Sequence, residues 1–85
     1  MSDVFYRLSS GVVVREESFG LLFYDSKNTN LSLINSGRLI SGQSLDKETD
    51  EADFLGSNEE ENLKIQRLLE KLVNKGLLYA KKRSV

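Results

Sequence analysis

Apolar positions in the first forty residues recur in short runs that suit strands. Residues 12–15 (VVVR) are β-branched, residues 20–25 (GLLFYD) are apolar and aromatic, and residues 31–35 (LSLIN) alternate with period two. The segments between them, residues 16–19 (EESF) and 26–30 (SKNTN), are polar, turn-rich and short enough for hairpins. A three-stranded antiparallel meander follows. Alternation along the third strand predicts that Leu31 and Leu33 face the core and Ser32 the opposite side.

The period changes in the second half. Ile65, Leu68, Leu69, Leu72 and Val73 fall at i, i+3, i+4, i+7 and i+8, one apolar stripe of a helix. Ser57 and Glu60 predict its cap and capping box, with acids at the positive end of the helix dipole and Lys75 near the negative end. Gly76 is placed to stop the helix, after which Leu77, Leu78 and Tyr79 fold back as a short extended end. In the middle, Ser36 offers a cap for a short helix over residues 36–40, limited by Gly42. Residues 46–55 predict a second short helix, anchored by Leu45, Phe54 and Leu55 and ended by Gly56. Strands followed by helices predict an α+β fold. It would be one domain over residues 1–85, a strand meander at about 5–35 and a helical part at about 36–85.

Composition narrows the chemistry. The 85 residues include no Cys, His, Pro or Trp. That removes disulfides, thiolate nucleophiles, imidazole acid–base catalysis and the usual zinc, haem and iron–sulfur ligands. A chain this short buries little more than ~60% of its unfolded surface, which leaves one thin core and no deep cavity. An enzyme is therefore not expected, and a binding or adaptor module is. The acids from Asp46 to Asp53 lack the spacing of a calcium loop, so no metal and no cofactor is expected. The start of the chain, Met1 to Arg7, lacks the pattern of an export signal, and no apolar run reaches the ~18–20 residues of a membrane helix. A cytoplasmic protein without a membrane partner is the expectation.

The net charge of −1 conceals an asymmetry. Residues 41–62 carry eight acids against Lys47, a net −7, whereas residues 63–85 carry seven bases against Glu70, a net +6. At 100° per residue, Lys64, Arg67, Lys71 and Lys75 fall on one flank of the long helix beside Leu68. Lys and Arg are good helix formers and often simply face water, but a one-sided basic flank bordering an apolar edge also suits an acidic, partly apolar segment. The third strand sharpens this. From Asn30 through Leu31, Ser32, Leu33 and Ile34 to Asn35 it has no charge and no Pro, and as the last strand of a meander it lies at a sheet edge. An extended peptide can add there as a further strand, unless a local helix or loop covers the edge.

Residues 6–25 (YRLSSGVVVREESFGLLFYD) and 31–40 (LSLINSGRLI) resemble the peptide chaperone of the mycofactocin system, within the wider group of PqqD-like RiPP recognition elements. RiPPs are ribosomally made, post-translationally modified peptides. The tail, residues 53–56 (DFLG) and then Leu68-Leu69 through Lys75-Gly76-Leu77-Leu78, is similar to the family's last helix and ending. Ser36-Gly37 stands where the family often has Ser-Pro, and residues 41–53 are short and acidic where it has a fuller first helix. The resemblance implies a winged helix-turn-helix-like domain, a three-stranded antiparallel sheet followed by up to three helices. It further implies a non-catalytic adaptor that binds the leader of a precursor peptide by strand addition and presents it to a modifying enzyme, commonly a radical SAM protein. The groove would lie between residues 30–35 and the flank of Lys64, Arg67, Leu68 and Lys71. The oligomeric expectation is a monomer or weak dimer.

The alternative is a winged-helix DNA-binding protein that uses Lys64, Gln66, Arg67, Lys71 and Asn74 on a recognition helix. The net −7 segment beside that helix opposes contact with phosphates, so no nucleic-acid partner is expected.

Overall fold

The computed structural model describes residues 4–82. Met1, Ser2, Asp3 and Arg83, which entered the charge and export-signal readings, lie outside them. The chain folds as α+β with two three-stranded antiparallel sheets. Strands β2 (Val12–Glu17), β3 (Gly20–Asp25) and β4 (Asn30–Ile34) form the expected meander in that spatial order. The second sheet was not foreseen as such: β1 (Val4–Leu8) is its centre, flanked by β5 (Thr49–Asp50) and by β6 (Leu78–Lys82). The extended end expected after Gly76 is this last strand, which pairs along all of β1 from Val4↔Lys82 to Leu8↔Leu78.

One core joins the sheets and helices. Phe23 and Leu21 from β3, Ile34 from β4, Tyr6 from β1 and Leu78 from β6 meet Ile65, Leu68, Leu69 and Leu72 of the long helix α3 (Glu59–Asn74). Burying each such side chain contributes about 1.5–3 kcal/mol. The helical stripe is as the spacing predicts, and Gly76, at φ +78°, ends the helix with its N–H donated to the Val73 carbonyl.

The helix start differs by one residue. Asn58, not Ser57, is the N-cap: its Oδ1 accepts from the Glu61 N–H at 3.0 Å, so the capping box of Ser57 and Glu60 does not form. Asn62 explains why. Its side chain accepts from the Gly56 N–H and donates to the Gly56 carbonyl, both at 2.8 Å, which holds the preceding loop off the helix axis and leaves Ser57 outside.

The middle of the chain also differs. Residues 36–40 form turns instead of a helix. Gly37 is left-handed at φ +59° and donates its N–H to the Phe19 carbonyl, which a right-handed helix starting at Ser36 cannot accommodate. The first helix, α1 (Gly42–Leu45), is capped by Ser41, and Glu16 of β2 accepts from the Gly42 N–H at 2.6 Å. The helix expected over residues 46–55 is reduced to α2 (Glu51–Phe54). Thr49 turns its hydroxyl back onto the Ser44 carbonyl at 2.6 Å, and Thr49–Asp50 is drawn into pairing with Tyr6 and Phe5.

Tyr6 ties β1 to α2. Its hydroxyl donates to Glu51 Oε2 at 3.0 Å and its ring meets Phe54 edge to face, centroids 6.1 Å apart. Burial, reinforced by the hydrogen bond to Glu51 and the charges of Glu51 and Glu70, pushes the phenol up to about 12 from 10.0. The folded state thus favours the neutral phenol. Its contribution to stability is whole below pH 10 and disappears as pH rises through about 12. Chemical denaturation as a function of pH should show a loss of stability across that window that Tyr6→Phe lacks.

Gly20 closes the two-residue turn between β2 and β3, at φ +149°. A Cβ there would stand 2.2 Å from the Ile34 carbonyl oxygen and 2.5 Å from the Ser36 nitrogen, both backbone atoms that cannot swing aside. Gly20→Ala is expected to cost about 3 kcal/mol or more in urea unfolding, far above the usual effect of a turn substitution.

Candidate peptide-binding edge

Each residue of a regular antiparallel strand directs its N–H and C=O to one side, and successive residues alternate. The Ser26 N–H donates to the Gly11 carbonyl, one register step beyond the Val12↔Asp25 pair. The even residues of β3, Gly20, Leu22 and Tyr24, therefore bond to β2, and the odd ones, Leu21, Phe23 and Asp25, bond to β4. The partners of those odd residues are Ile34, Ser32 and Asn30. These three spend their backbone groups on β3. Leu31 and Leu33 consequently aim theirs outward, two N–H and two C=O groups along the open side of an edge strand.

The side chains correct one expectation. Leu31 and Leu33 are 65% and 69% exposed, while Ile34 is buried and Ser32 half-buried. Core-facing Leu31 and Leu33 were expected from alternation alone, but alternation gives two phases, and the burial of Ile34 selects the one with Ser32 inward. Asn35 follows the strand and is exposed. The outward phase has company that the sequence reading missed. Leu31 lies in a cross-strand row with Tyr24 and Val13, and Leu33 in a row with Leu22 and Arg15. Val13 is 60% exposed. The missed signal was that β3 is apolar on both faces, with Leu22 and Tyr24 opposite Leu21 and Phe23, more than a one-sided core requires.

On α3, Lys64, Arg67 and Lys71 are exposed and Leu68 is buried beneath them. Among the described residues, none of the three bases forms an ion pair. The strand and the helix share a core through Ile34 and Leu68. No hydrogen bond or ion pair joins residues 30–35 to Lys64, Arg67 or Lys71 among the described residues, so the bases and the edge are each available to a third party. Among the described residues, no cluster of His, Cys, Asp or Glu is arranged to hold a metal ion and no helix is long and apolar enough to cross a membrane.

A family model for the peptide chaperone MftB family matches residues 5–79. The chain belongs to that family. The match runs from β1 to the beginning of β6, so it takes in both β4 and α3. A chaperone role toward a precursor peptide comes with that membership. No curated protein and no solved structure matches the chain significantly.

The alternation along β4 separates two otherwise similar substitutions. Leu33→Pro removes an N–H that points outward, so its circular dichroism spectrum should match that of the parent. Ser32→Pro removes an N–H bonded to Phe23 and should unfold the meander.

Proposed function

We propose that this chaperone binds the leader segment of its precursor peptide as an added strand against β4 and presents it to a modifying enzyme, a radical SAM protein. The observation that carries this reading is the vacant backbone edge at Leu31 and Leu33, flanked by uncharged neighbours. A guest strand aligned there gains main-chain hydrogen bonds from those two residues and apolar contact with their side chains. Lys64, Arg67 and Lys71, exposed on α3, would form the second wall and favour acidic residues in the guest, while Leu68 anchors that face of the helix in the core. Several main-chain bonds and a few charge pairs are commensurate with micromolar affinity, about 8 kcal/mol.

The protein contributes no bond-making group to this task. Its role is to fix an otherwise flexible peptide in one extended register, which lowers the ordering cost that the enzyme would otherwise meet. Family membership favours a peptide over duplex DNA as the guest of this helix.

Arg67→Glu and Lys71→Glu should each weaken calorimetric binding of the precursor peptide about tenfold, with the circular dichroism spectrum retained. Because exposed charge pairs are screened, the parent affinity should also fall as salt is raised. Dissociation constants unchanged in both variants would remove α3 from the binding wall.

A further inference from the structure

The edge that suits a guest strand is also complementary to itself. Place two copies antiparallel about a two-fold axis through Ser32. Leu31 of one copy then stands opposite Leu33 of the second, and Leu33 opposite Leu31. These are the residues whose N–H and C=O groups point outward, so each of the two opposed pairs exchanges two hydrogen bonds and all four vacant groups on either copy are used. The same register brings the exposed Leu31 and Leu33 side chains into cross-strand contact on the outer face, joining the two meanders into one six-stranded sheet.

Charge permits this pairing. In a two-fold contact, a charged residue near the axis meets its own copy, and a single edge lysine would suffice to oppose it. Residues 30–35 carry none. We propose that the chain associates reversibly with a second copy through β4, and that this pairing closes the peptide-binding edge. The self-association stands on the strand register alone, whereas the closure rests on the peptide reading above. One short strand and two leucines per copy amount to much less than the ~800 Å² per partner of a standard interface. The dimer is therefore weak and concentration-dependent. A guest that adds charge pairs with α3 displaces the second copy.

Sedimentation equilibrium on the intact protein tests this. From about 10 to 500 μM, the weight-average mass should rise from that of one chain toward twice that value. Leu33→Pro should remain a single chain throughout. Leu33→Lys, at a solvent-exposed position that places like charges on both copies, should do the same and covers the case in which the proline variant is unfolded. Hydrogen exchange adds a site-specific readout: the Leu31 and Leu33 amides should gain protection with concentration, while those of Ser32 and Ile34 stay protected at every dilution. A mass that never rises, or variants that associate as the parent does, overturns the proposal. Calorimetry with the precursor peptide at about 10 μM protein, where the chain is monomeric, separates the two readings. Absence of heat there defeats the peptide reading and leaves self-association intact.

Discussion

The pairing of β3 with both of its neighbours governs the rest of the molecule. As the central strand it spends even-numbered backbone groups on β2 and odd-numbered ones on β4. Once that parity is set, the state of every residue on β4 follows. Asn30, Ser32 and Ile34 are satisfied internally, and Leu31 and Leu33 are not. The same parity decides side-chain direction, which sends Ile34 into the core and leaves both leucines in solvent. The vacancy is thus a consequence of strand order and not a local defect.

Most proteins blunt such an edge with lysine, proline or a bulge. This one carries Lys64, Arg67 and Lys71, three bases unpaired among the described residues, on α3 and leaves the strand neutral. The division has a physical logic. Charged side chains on the edge would have to be desolvated by any incoming strand whatever its sequence, whereas charges on a neighbouring helix would discriminate among guests by side chain. On the proposed reading, affinity would come from the backbone of one element and selectivity from the side chains of another.

The meander, the long helix and its glycine stop were legible in the sequence because each rests on local pattern: turn residues between apolar runs, and a 3.6-residue stripe. The second sheet was not, because β1 and β6 are joined only by a pairing between residues 4–8 and 78–82, and no local period records it. The middle failed for a related reason. Thr49 and Gly37 are held by contacts to β1 and to the β2–β3 turn, and these override helix propensity in residues 36–40 and 46–50. For the candidate site, edge position and basic flank were readable, but the facing of Leu31 and Leu33 was not. A five-residue strand with apolar residues in both phases does not reveal which face is wet until its neighbour's register is known.

The lengthwise pairing of β1 with β6 places Val4 beside Lys82. Both ends of the described chain therefore leave from adjacent strands of one sheet, while the vacant edge belongs to the other. Such a module can be spliced into a loop of a larger polypeptide, or tethered to one at either end, and its open strand stays unobstructed by the join. A physical link of that kind would raise the effective concentration of the open strand near whatever the larger polypeptide carries, without altering any contact along that strand.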